Sequence, residues 1–268
     1  MPIELQHSIH ALSEQAFHQL DYEIMALAFE VHSQLGRFYN EQIYQNKLKQ
    51  KCLDKGLRVD SEFKIKLTHR NYTKPLFVDL LIENSVYELK AIRSIQKPQR
   101  IQTLNYLFST NTQHGKIINF LPSSVEHEFI STSLNHTARK QITFQHSQWQ
   151  AHSTEAENLE TLMRELLVDW GAFFDTHLYE EAIVHLLETV TPIVRRVKIT
   201  SNNHLLGSQK LNVLSNAEFF AITAARSNIP QHKNNLIKLL KHTPFKYLYW
   251  INLNHSEIQF ATLESQEK

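Results

Sequence analysis

Asp79-Leu80-Leu81-Ile82-Glu83-Asn84-Ser85-Val86-Tyr87-Glu88-Leu89-Lys90 is a pair of apolar runs broken by Asn-Ser. Two such runs joined by two turn-forming residues predict a β-hairpin with Asn84-Ser85 at its tip. In that register Glu83 faces Val86, Leu81 faces Glu88 and Asp79 faces Lys90. Side chains alternate along a strand, so Asp79, Glu88 and Lys90 share one face, and Leu80, Ile82, Tyr87, Leu89 and Ala91 form a core face. Two carboxylates about 5 Å apart repel by roughly 3 kcal/mol at an effective dielectric near 20. A buried pair must therefore hold a proton, a cationic side chain or a metal ion. Lys90 supplies one positive charge. An Asp and a Glu with room for water suit Mg²⁺ or Mn²⁺ better than Zn²⁺, which favours His and Cys. Taken alone, the spacing is equally compatible with a structural salt bridge.

The flanking sequence predicts an α/β arrangement. Leu20, Ile24, Leu27, Val31 and Leu35 repeat at helical spacing up to Gly36, and a second helix runs from about Tyr39 to Gly56 with Ile43, Tyr44, Leu48 and Cys52 on its apolar stripe. Glu41 lies one turn before Tyr44 on the same side, a position that asks for a positive partner. Phe63, Ile65 and Leu67 alternate with Lys64 and Lys66 as a strand, and the hairpin follows. A helix begun by Pro98 carries Gln102 and Tyr106 on one face, and two further strands cover Ile117–Leu121 and Val125–Ile130. The expected order is helix, helix, three strands, helix, two strands.

With 268 residues, 42% hydrophobic and 21% charged, and only five Gly and seven Pro, the chain is an ordinary globular protein rather than a disordered one. Its single cysteine, Cys52, excludes an internal disulfide framework and is expected in the core. No run is long enough to span a membrane and no signal peptide is recognisable, so a cytoplasmic location is expected. The sixteen histidines are scattered, without HExxH or Cys/His zinc spacing. Lys47–Lys74 carries nine basic residues against three acidic ones, just ahead of the carboxylate hairpin. A polyanionic partner would be drawn there, although a solvated surface explains the charge equally well.

The second half repeats the first. Leu35–Tyr44 aligns with Trp170–Tyr179. Asp79–Arg93 aligns without a gap on Asn212–Arg226, and Lys116–Phe120 on Tyr249–Leu253, both at an offset of 133. Apolar positions persist, as do Gly171, Tyr179, Arg226 and Asn252. The charged set does not: Glu41, Asp79, Glu88, Lys90 and Gln102 become Thr176, Asn212, Ala221, Thr223 and Asn235. Charges that a copy discards while keeping its fold signals point to chemistry in the copy that retains them. The expected organisation is a first domain over 1–133, a polar connector over 134–155 and a degenerate, catalytically silent repeat over 156–268.

Five blocks resemble the GxxExxY proteins of the PD-(D/E)XK nuclease-like superfamily. They are Leu35-Gly36 with Glu41 and Tyr44, Val78-Asp79-Leu80-Leu81, Glu88-Leu89-Lys90-Ala91, Gln102-Thr103-Leu104-Asn105-Tyr106-Leu107, and Asn119-Phe120. The likeness covers roughly Asp21–Phe120. It implies a restriction-endonuclease-like mixed β-sheet flanked by helices, with Mg²⁺ or Mn²⁺ held by Asp79 and Glu88 and supported by Glu41. Lys90 would activate water or stabilise charge on phosphorus, Gln102 would assist, and Tyr44, Tyr106 and Arg93 would line the substrate. The chain departs from the pattern at Phe38, where the motif has glycine, at Val78, where proline is frequent, and at Phe77, where a basic residue is frequent. The resemblance implies a metal-dependent nuclease acting on nucleic acid, DNA before RNA, as a homodimer or an internal pseudo-dimer. The alternative is a non-catalytic module that binds nucleic acid or protein on the same fold.

Overall fold

The computed structural model describes residues 1–188, 193–202 and 204–265. It divides into two compact units: 1–68 with 73–138, and 139–268 with the short segment 69–72. Each is a mixed α/β unit built on a six-stranded sheet.

In the first unit, β1 (Ile3–Leu5) precedes α1 (Glu14–Leu35) and α2 (Glu41–Asp54). Then come β2 (Val59–His69), β3 (Tyr72–Ile82), β4 (Ser85–Lys90), α3 (Lys97–Thr110), β5 (His114–Asn119) and β6 (Glu126–Ser131), with the four-residue α4 (His136–Arg139) at the boundary. Ser13 and Asn40 accept backbone N–H bonds at the starts of α1 and α2, and Gly36 ends α1 at φ 71°. The sheet order is β1-β2-β3-β4-β5-β6, with β4 and β5 parallel and joined by α3. Helices α1 and α2 bury Ile24, Ala28, Val31, Tyr44 and Leu48 against Leu80, Ile82, Tyr87, Leu89 and Ile118 on one face. On the other face α3 buries Tyr106 and Leu107 against Leu81, Val86 and Ile117. Cys52 is fully buried, and burial pushes its thiol up to about 12.

The expected element order holds, with two differences. The three-residue edge strand β1 carries too short a pattern to show periodicity. The hairpin is also shifted: Leu80 pairs Tyr87, Leu81 pairs Val86 and Ile82 pairs Ser85, so the turn is Glu83-Asn84, both at positive φ, 45° and 66°. A tertiary clamp explains why Glu83 accepts the left-handed region. Its N–H donates to the Arg58 carbonyl, and its carboxylate receives the Arg58 backbone N–H at 2.8 Å and the guanidinium at 2.6 Å. The shift of two positions preserves strand parity, so each side chain keeps its expected face.

The second unit contains β7 (Thr143–Gln148), α5 (Thr154–Trp170), α6 (Thr176–Leu187), β8 (Val194–Ser201), β9 (His204–Val213), β10 (Glu218–Thr223), α7 (Ile229–Lys241), β11 (Tyr247–Asn254) and β12 (Glu257–Glu264). Its sheet runs β7-β12-β11-β10-β9-β8. From α5 to β12 the elements follow the order seen from α1 to β6, again with a parallel pair, β10 and β11, bridged by a helix, and β7 adds a second parallel pairing on β12. The segment 134–155, expected as a connector, supplies α4 and the sheet-edge strand β7. Among the described residues no helix is long and apolar enough to cross a membrane.

Hydrogen bonds repeat as well as topology. Asn119 receives the Ile92 N–H and donates to the Ile92 carbonyl and to Glu126. Asn252 does the same with Ala225 and Gln259, each partner displaced by 133. Tyr44 donates its hydroxyl to the Gly36 carbonyl at 2.8 Å, and Tyr179 donates to that of Gly171.

Candidate metal centre

Strand β4 ends at Lys90, beside the first turn of α2, and four predicted side chains meet there. Lys90 Nζ lies 2.5 Å from Glu88 Oε1, 3.4 Å from Glu41 Oε1 and 3.7 Å from Asp79 Oδ2. Asp79 sits where β3 and β4 part, and its Oδ2 takes the Leu89 N–H at 2.7 Å in place of a ladder bond. Glu88 is wholly buried, and its Oε2 has no hydrogen-bond partner. Glu41 is the outermost of the three acids, with a side chain 39% exposed.

The electrostatics follow from this crowding. Burial raises Asp79 to about 6, with Glu41 and Glu62 adding to the rise and Lys90 and the Leu89 N–H opposing it. Burial and then Asp79 raise Glu88 to about 8 against the pull of Lys90. Burial lowers Lys90, but the acids around it outweigh burial and its net shift is upward. Tyr106 is raised, first by burial and next by Glu88. Its hydroxyl accepts a 2.8 Å bond from Gln102 Nε2, which ties that predicted pair together on α3.

The three acids expected around a shared metal ion do converge, and the Lys90 ammonium stands among them. Among the described residues no three His, Cys, Asp or Glu side chains form a ready-made ligand cluster. One expectation needs correction. Tyr44 was expected to line the substrate, yet it is fully buried. It stacks on Phe120 at 4.7 Å, and its hydroxyl donates to Gly36 and accepts from the Tyr39 N–H, so it fixes the loop before α2. Arg93 is exposed on the β4–α3 loop.

Two residues escaped the sequence reading. Gln45, buried on α2, donates its amide both to the Asp79 carbonyl at 2.7 Å and to Glu62 at 2.9 Å. Glu62, on β2, adopts φ 54° within a strand, a conformation that costs a non-glycine residue roughly 1–3 kcal/mol. No motif or spacing in the sequence singles it out.

The donors fit a hard divalent cation. All are carboxylate oxygens, and one of them, Glu88 Oε2, is buried without a partner. Lys90 is a flexible side chain, so its ammonium can yield the centre and remain at the rim.

No curated protein and no solved structure matches the chain. A family model described as the PD-(D/E)XK nuclease superfamily matches residues 18–131, and that segment contains Glu41, Glu62, Asp79, Glu88 and Lys90.

Proposed function

We propose that the first unit is a metal-dependent nuclease of the GxxExxY type that hydrolyses phosphodiester bonds, with DNA favoured over RNA. The observation that carries this reading is the convergence of Glu41, Asp79 and Glu88 on one point, with a buried Glu88 oxygen left unpartnered. Asp79 and Glu88 would hold Mg²⁺ or Mn²⁺, and Glu41 would support it from α2. When bound, the cation offsets charge on the phosphoryl oxygens and makes a water acidic enough to attack near neutral pH. Lys90, displaced to the rim, donates a hydrogen bond to the attacking water or to the developing oxyanion. The Leu89 N–H on Asp79 Oδ2 and the Gln45 amide on the Asp79 carbonyl keep that carboxylate from turning away. Gln102 and Tyr106 border the site on the α3 side.

The second unit is read as a silent copy. Thr176, Asn212, Ala221 and Thr223 stand where the charged set would be, and they leave a cleft of about 540 Å³ that includes Asn212 and Ala221 in its lining. Its role would be structural or substrate-shaping, and the arrangement an internal pseudo-dimer.

Incubating the protein with labelled single- and double-stranded DNA and RNA in Mg²⁺, Mn²⁺ or EDTA tests the proposal. Cleavage that needs the cation and disappears in Asp79→Ala and Lys90→Ala is expected. Salt-sensitive binding without any cleavage would select the non-catalytic module instead, a reading favoured by the ammonium now seated among the acids.

A further inference from the structure

The loop that leads into Glu41 holds a phenylalanine almost entirely in water. Phe38 is 89% exposed, the Arg37 guanidinium lies 5.6 Å from its ring centre, and Tyr39 beside it is 47% exposed. This loop is not slack. Its Gly36 carbonyl and Tyr39 N–H are both bonded to the buried Tyr44 hydroxyl, so the ring is held outward by a fixed backbone. A second exposed ring, Phe77, stands on β3 two residues before Asp79, the spacing that puts side chains on one face of a strand.

The aligned loop of the second unit shows that the fold does not require this exposure. There Phe38 aligns with Phe173, which is half-buried with its ring 6.0 Å from that of His255, and Tyr39 aligns with Phe174, which is 4% exposed with the Arg139 guanidinium packed on it at 4.3 Å. Both aligned aromatics are more covered in the unit without the charged set than Phe38 and Tyr39 are in the unit that has it.

From this pairing we infer that Phe38, with Phe77, is a stacking platform for unpaired nucleobases, so the site takes single-stranded or frayed nucleic acid in preference to intact duplex. The inference rests on the nuclease reading for its location, not for its physics. A flat ring flanked by a guanidinium offers a π-face and a positive charge, the combination that grips a base and its phosphate together. Exposed Arg93 on the β4–α3 loop supplies a second cation on the same chain segment as Lys90. In a duplex the base faces are already stacked on one another, and an outward ring has nothing to meet.

The test is fluorescence anisotropy with a labelled 20-nucleotide single strand and a hairpin duplex of the same composition, in EDTA so that nothing is cut. Phe38→Ala is expected to weaken single-strand binding about fivefold or more, with duplex binding within about twofold and the melting temperature unchanged. Phe38→Trp should restore the affinity, and Phe77→Ala should show a smaller loss of the same kind. Equal losses on both forms, no loss in Phe38→Ala, or no single-strand binding by the wild type would each overturn the inference. The two proposals fail separately. Phe38-dependent binding without cleavage in Mg²⁺ would sink only the hydrolytic reading, and cleavage indifferent to Phe38 and Phe77 would sink only the platform.

Discussion

In the first unit Lys90 stands among Glu41, Asp79 and Glu88; at the aligned positions of the second, Thr223 stands with Thr176, Asn212 and Ala221. The neutral set is not loose. Thr223 donates to Asn252 at 2.9 Å and receives the Trp250 N–H at 2.8 Å, while Asn212 donates to Glu180, the residue aligned with Gln45. A second contrast lies deeper. Lys116 forms a buried ion pair with Asp21 at 2.6 Å, whereas its counterpart Tyr249 donates a hydroxyl to Glu218. Both units nevertheless keep the order of the five strands β2–β6 and β8–β12, the helix-bridged parallel pair and the asparagine bracket, while the sixth strand joins opposite edges, β1 on β2 and β7 on β12. The sheet therefore needs no charge at the end of its central strand. Burying three acids and an amine there costs desolvation that packing alone does not repay.

That contrast can be broken most decisively by activity. Asp79→Ala or Lys90→Ala is expected to lower metal-dependent cleavage by about 10³-fold or more, while Asn212→Ala and Thr223→Ala stay within about twofold of wild type. Comparable losses in both units would erase the distinction. Next in size is stability. Asp21→Ala strands the Lys116 ammonium in the core and should cost about 3–5 kcal/mol in urea unfolding.

A pH titration sharpens the comparison further. Asp79 near 6 and Glu88 near 8 both lie above ordinary carboxylate values. Without metal, their contribution to stability is therefore fullest below the usual carboxylate range and is lost as pH rises through 6 and then 8. Divalent cations need the deprotonated acids, so the Mg²⁺-induced rise in melting temperature should grow over the same interval. In Asp79→Asn/Glu88→Gln that growth should vanish. The smallest effect is shared: Tyr44→Phe and Tyr179→Phe each remove the hydroxyl bond to a glycine carbonyl together with the backbone N–H bond that the hydroxyl accepts, from Tyr39 and Phe174 respectively, and should each cost about 1–2 kcal/mol. A large cost in only one unit would show that the two loops are not held alike.

Much of this was legible because it was local. Helical spacing up to Gly36, alternation through Phe63–Leu67 and parity in the hairpin placed Glu88 and Lys90 on the face shared with Asp79. What stayed hidden depends on distant partners. Nothing near Glu83 announces a left-handed turn, because Arg58, 25 residues away, holds it. Glu62 carries no local signal, because Gln45 on a different element, together with the positive φ of Glu62 itself, places it beside Asp79. The family resemblance put Tyr44 beside the substrate, whereas its place on the apolar stripe of α2 already pointed inward, and its burial with both hydroxyl partners inside the chain agrees with the stripe. The seat of the Lys90 ammonium depends on side-chain geometry that spacing cannot give.

The most direct test is an anomalous difference map from a crystal soaked in Mn²⁺. One peak bonded to oxygens of both Asp79 and Glu88 at about 2.0–2.3 Å, with Lys90 Nζ moved off Glu88, is the expected result. A Lys90–Glu88 contact unchanged in saturating Mn²⁺, with no peak between the carboxylates, would contradict it.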